Sequence, residues 1–178
     1  LKLAKARAAI EAGDFALADS TIEAVLADDP WEWRAVWLSG LEALARHDPG
    51  GATEAFNTVL GQVPGELAPK LALALACEQS EQRAVARGLY RTCTVVDANY
   101  VAPAAFGLCR CALADQDVAA ALSALDLIGP TSGSYVTARR TRAEILAASN
   151  LGLPALADAV RTVEHLPIAP LDRQQLVT

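Results

Sequence analysis

Apolar residues recur along the chain at three- and four-residue intervals, and no stretch alternates with period two for long. Arg34, Trp37, Leu41 and Leu44 form one such helical stripe. The pattern predicts five helical hairpins. They pair residues 1–12 with 15–28, 32–46 with 51–62, 67–79 with 81–95, 100–114 with 117–127, and 134–148 with 153–165. A last helix is expected near Leu171, after Pro167 and Pro170. In the first turn, Gly13 supplies a positive φ, Asp14 caps the second helix and Phe15 packs inward. The second turn reads longer, His47-Asp48-Pro49-Gly50-Gly51, and Gly129 to Gly133 is the clearest break.

Three series of positions repeat. Small residues stand at Ala6, Gly40, Ala74 and Gly107, in steps of 34, 34 and 33. Turn positions stand at Pro30, Pro64, Ala98 and Pro130, in steps of 34, 34 and 32. Ala18, Ala55, Ala86 and Ala120 form the third, in steps of 37, 31 and 34, the first being assigned to the longer second turn. This is the spacing of the tetratricopeptide repeat, a helix-turn-helix of about 34 residues. Small residues let the two helices of a hairpin approach, and Pro ends the second helix because it lacks an N–H. The expected fold is all-α, a right-handed α-α superhelix of about ten antiparallel helices, one repeat domain over residues 1–178.

Composition narrows the function. Ala and Leu dominate, hydrophobic residues make up 53% and aromatics 5%, which suits helices sharing one core. The net charge of −6, without a basic cluster interleaved with aromatics, argues against nucleic acid. The longest apolar run, Leu67 to Cys77, is interrupted by Lys70 and is too short to span a membrane. The first residues lack the apolar core of a signal peptide. With no Met, Leu1 is no natural start, and a fragment of a longer multidomain chain is expected. Cys77, Cys93, Cys109 and Cys111 form no C-x-x-C pair and lie among apolar neighbours in predicted helices. They read as buried structural thiols in a cytoplasmic protein that carries no cofactor or metal.

Further strings point to one family. Trp31-Glu32-Trp33-Arg34-Ala35-Val36-Trp37 is followed by Pro64-Gly65-Glu66-Leu67-Ala68-Pro69-Lys70-Leu71-Ala72-Leu73-Ala74. Then come Ala104-Ala105-Phe106-Gly107-Leu108, Pro130-Thr131-Ser132 and Thr137-Ala138-Arg139. In this order the chain resembles the C-terminal tetratricopeptide region of the actinobacterial serine/threonine protein kinase G family, from the first hairpin to Pro167. The resemblance implies a soluble parent in which a rubredoxin-like metal module and a kinase domain precede the repeats. It implies a forkhead-associated regulator of nitrogen metabolism as the kinase's target, and a repeat region that dimerises and supports the kinase. It also implies a repeat region reaching beyond this chain, so that the final cap is missing. The chain has no G-x-G-x-x-G-x-V, V-A-I-K, H-R-D or D-F-G, so no catalytic or metal residue carries over and no enzyme is expected here.

Helical repeats bind along the concave face lined by the first helix of each hairpin. The candidates there are Arg34, Trp37, Leu41 and Leu44, then Leu71 and Leu75, then Leu108 with Cys111. The competing reading is that this stripe packs against neighbouring repeats. Trp31, Trp33 and Trp37 read either as a partner anchor or as filling between the first two repeats. Arg139 and Arg142, with Arg140, could dock a phosphorylated or acidic segment, or pair with local acids such as Glu144. Without Asn mid-helix in the first helices, capture of a peptide carboxylate is disfavoured. The expected role is a non-catalytic, protein-binding region of a kinase. Its partners would be its own kinase domain, a second copy in a homodimer, or a substrate protein. The alternatives are a free adaptor that binds a helix or peptide in its groove, and a ligand-sensing repeat beside a transcription regulator, for which no DNA-binding segment is present.

Overall fold

The computed structural model describes residues 1–149 and 152–164. These form ten helices: α1 Lys2–Ala12, α2 Phe15–Asp28, α3 Trp33–Ala45, α4 Pro49–Gln62, α5 Leu67–Gln79, α6 Arg83–Val96, α7 Ala98–Ala114, α8 Val118–Asp126, α9 Tyr135–Ala148 and α10 Leu153–Glu164. The helix expected near Leu171 lies outside the described residues. The chain divides into two compact units, residues 1–93 and 94–178. In the first, α1 packs on α2, α3 on α4, and each pair meets the next through α2 with α3 and α4 with α5; α1 also touches α3. In the second, α7, α8, α9 and α10 pack in succession.

One backbone device closes four of the hairpins. Gly13, His47, Glu81 and Gln116 take φ of 74°, 58°, 60° and 59°. The N–H of each next residue bonds five residues back: Asp14 to Ala9 O, Asp48 to Ala43 O, Gln82 to Cys77 O and Asp117 to Ala112 O, at 2.8–2.9 Å. This is the Schellman closure, which satisfies the last carbonyls of a helix and reverses the chain. Asp14, Asp48 and Asp117 then accept from the N–H three residues on, at 3.1, 3.0 and 2.9 Å. The turn after α3 is therefore only one residue longer than the turn after α1 and equal to those after α5 and α7; Pro49 is already the first residue of α4, where its missing N–H costs nothing.

With the turns aligned, the buried series become regular. Ala18, Ala52, Ala86 and Ala121 are fully buried, in steps of 34, 34 and 35. This corrects the third series read from the sequence, in which Ala55 is half-buried and Ala120 exposed. A second buried series runs Ile22, Phe56, Tyr90 and Leu125. The small series Ala6, Gly40, Ala74 and Gly107 is buried throughout. Gly40 gives its reason: a Cβ there would stand 2.5 Å from the Phe56 ring. Close approach of α3 and α4 leaves no room for one more carbon.

The turn series holds at Pro30 and Pro64, each two residues past a helix end. Ala98 departs from it. The Asp97 carboxylate accepts from Asn99 N–H at 2.8 Å and starts α7 at once, so this helix has 17 residues where α3 and α5 have 13. Counted from the turn closures, Cys77 answers to Ala112, so Pro103 answers to Ala68 and not to Pro69. Pro69 falls in the first turn of α5, whereas Pro103 is interior to the longer α7 and cannot donate to the Asn99 carbonyl. Lys70, inside the apolar run, turns its ammonium out to the carbonyls of Pro64 and Glu66.

Candidate protein-interaction site

The α3 stripe is half core and half surface. Arg34 is exposed, its guanidinium held by Glu32 at 2.8 and 2.7 Å. That hydrogen bond holds the Glu32 carboxyl below the usual range. Trp37 and Leu41 are half-buried and pack on the core formed by Ala6, Ile22, Val25, Ala35 and Leu38. The Trp37 ring lies 5.1 Å from Phe56, tilted by 52°. Their inner faces thus fill the space between the first two hairpins, and only an outer edge faces solvent. Leu44, Leu71 and Leu75 are also half-buried. Among the tryptophans, Trp33 is half-buried, whereas Trp31 is 78% exposed in the turn before α3.

In the second unit the candidates are mostly interior. Leu108 and Cys111 are buried, so neither lines a groove: α7 turns them inward beside Ala104, Ala105 and Ala112. Arg139 and Arg142 are not a free basic patch. Arg139 donates to Asp126 at 2.6 Å and to the Leu125 carbonyl at 2.6 Å, and stacks 5.3 Å from the Tyr135 ring. Arg142 donates to Asp158 at 2.8 Å and Thr162 at 3.2 Å, and its Nε lies 3.3 Å from Asp126. The two side chains, 15% and 18% exposed, clasp α9 to α8 and α10. The Arg142 bond holds the Asp158 carboxyl below its ordinary range. Arg140 is the outward member and pairs with Glu144 at 3.5 Å.

Two features escaped the sequence. Glu42 is buried on α3, accepting from Arg46 at 2.9 Å, while Arg46 also reaches Asp19 at 3.0 Å and lies over the Phe15 ring. Burial pushes the Glu42 carboxyl above the usual range; the Arg46 bond opposes this and the Asp19 charge adds to it. A cleft of about 540 Å³ lies between the start of α7 and the loop before α9, lined by Asn99, Val101, Pro103, Ile128, Ser132 and Ser134. The loop residues that form it have no periodic pattern to give them away. All four cysteines are buried as expected, and burial pushes the thiols of Cys77, Cys93 and Cys109 up, away from the reactive thiolate.

The arrangement offers packed hairpins, an exposed indole and an exposed arginine, which are means of contact. The family model described as protein kinase G tetratricopeptide repeat matches residues 1–177. The serine/threonine-protein kinase PknG of Mycolicibacterium smegmatis is 37% identical over 171 residues, which cover 94% of this chain and 22% of that protein. The serine/threonine-protein kinase PknG of Mycobacterium leprae is 35% identical over 174 residues, with the same shares. The chain thus spans about a fifth of the length of the curated relatives it matches. Ten helices paired by a 34-residue register and a match over nearly every residue agree: the chain belongs to the protein kinase G tetratricopeptide repeat family, as a non-catalytic helical repeat.

Proposed function

We propose that this chain is the protein-interaction and regulatory region of a serine/threonine protein kinase, holding the kinase domain, a second copy or a substrate protein in place. The observation that carries this reading is the match of residues 1–177 to the repeat of such kinases. Hairpins locked by repeated turn closures fix the spacing of surface groups. A fixed surface raises the local concentration of whatever it holds. The contact face is the head of α3, where Trp31 and Arg34 are exposed above the half-buried Trp37, Leu41 and Leu44. Aromatic and arginine side chains are the usual anchors of such contacts. Leu71 and Leu75 on α5 extend the same first unit with a second, half-exposed apolar pair.

The test is phosphorylation of a substrate protein by the parent kinase segment with and without this chain joined to it. The joined form is expected to win at limiting substrate, and Trp31→Ala with Arg34→Ala is expected to remove the advantage while helicity is kept. Equal rates with and without the chain, or ATP turnover by the chain alone, overturn the reading.

A further inference from the structure

The second unit departs from the repeat in two places, and both line one cleft. Counted from the turn closures, Leu67 of α5 answers to Ala102, so α7 starts four residues early, at Ala98. The link from α8 to α9 holds eight residues, 127–134, where four join α2 to α3 and α4 to α5. The early start and the long link together enclose the cleft of about 540 Å³. That size is usual for a ligand pocket, about 300 to 1,000 Å³. Its loop side is set in advance. Ser132 N–H donates to the Gly129 carbonyl and Tyr135 N–H to the Ser132 carbonyl, both at 3.0 Å, and Ser134 N–H to Ser132 Oγ at 3.2 Å. A loop already ordered costs a partner less to engage.

We propose that this cleft binds an uncharged, extended peptide segment of a partner protein, through its backbone and one apolar side chain. The chain is 20% charged, yet none of the residues lining the cleft is ionisable. A charged ligand would lose hydration there without meeting a counter-charge. The apolar lining is Val101, Pro103, the buried Ile128 and Leu127, which is 49% exposed. The polar lining is uncommitted. Pro103 has no N–H for the Asn99 carbonyl, and its ring crowds that carbonyl aside, which leaves an acceptor beside the cleft. The Asn99 carboxamide and the Thr131 and Ser134 hydroxyls have no partner among the described residues. A carboxamide sets a donor beside an acceptor, the pattern that a peptide group answers, and a peptide N–H supplies what the Asn99 carbonyl lacks. The site shares no residue with the α3 face, so either reading can fail without the other.

Titration of the backbone amide resonances of the whole 178-residue chain tests this. The probe is acetyl-Ala-Leu-Ala-amide, with the Ala-Lys-Ala and Ala-Asp-Ala peptides beside it. Saturable shifts are expected at 98–103 and 127–134 with the leucine peptide at millimolar concentration, and binding at least about fivefold weaker with either charged peptide. Gly133→Leu grows from a position where an added Cβ meets nothing, and is expected to abolish the shifts with the fold kept. Pro103→Ala returns an N–H to the Asn99 carbonyl. It is expected to weaken binding about fivefold, the worth of one hydrogen bond, although the helix is no less stable. A purely structural role for Pro103 would not weaken binding in a helix so repaired. The proposal is overturned if the leucine peptide gives no saturable shift at these residues, if a charged peptide binds as tightly, or if Pro103→Ala binds as wild type does. It is also overturned if glucose or adenosine saturates the cleft where the peptide does not, since the ligand is then a neutral small molecule.

Discussion

Glu42 and Asp158 are carboxylates in opposite situations. Glu42 is buried, and its loss of solvation outweighs its bond from Arg46, so its carboxyl sits above the ordinary range. Its charge therefore burdens the fold at neutral pH, and the burden lifts as pH falls from the raised native value toward the unfolded value near 4.3. Glu42→Gln is expected to be more stable than wild type at pH 7, the difference closing toward pH 4, as read by denaturant midpoints. Asp158 has the opposite sign. Arg142 lowers its carboxyl, so it contributes stability above the unfolded value near 3.9, lost as pH falls through the lower native one. Asp158→Asn is expected to be less stable than wild type at pH 7 and to match it in strong acid. Neither residue stands out in the sequence, where each is one acid among 21. Burial and partner are properties of packing, and a one-dimensional pattern records neither. Trp31, by contrast, could be told apart from Trp33 and Trp37 because it precedes the helix and falls off the stripe.

The hairpin is the element that the sequence describes best. Helix limits match the expected ones to within about two residues. Turn chemistry explains this success, since Asp14, Asp48 and Asp117 both punctuate the sequence and cap a helix. Replacing any one of them by Ala is expected to cost about 1 kcal/mol, measured by chemical denaturation. The failure was one of alignment. His47, Glu81 and Gln116 adopt the left-handed backbone usually left to glycine, so the second and later turns did not announce themselves as copies of Gly13. Once they are aligned, Gly40 is seen to face Phe56. Gly40→Ala is expected to lose about 1–3 kcal/mol from overpacking, although Ala is the better helix former, and a second substitution, Phe56→Leu, to recover part of the loss.

At the scale of the molecule, a repeat in which each hairpin touches its neighbours spreads a local injury only gradually. Within residues 1–93, Gly40→Ala is expected to raise hydrogen exchange most in α3 and α4 and less in α1 and α5; a uniform rise would mean that the unit opens as one body. The composition, the 34-residue step and the kinase-type strings determined the fold class and the family, because helix periodicity and turn residues are local and repeat themselves. The surface was left to tertiary structure. Leu108 and Leu71 read alike in sequence, yet one is buried and the other half-open. Arg139 and Arg142 look like a docking patch until Asp126 and Asp158, 13 and 16 residues away, are found to hold them. Which face a residue shows depends on partners brought close by the packing of other helices, and that closeness exists only once the hairpins have folded against one another.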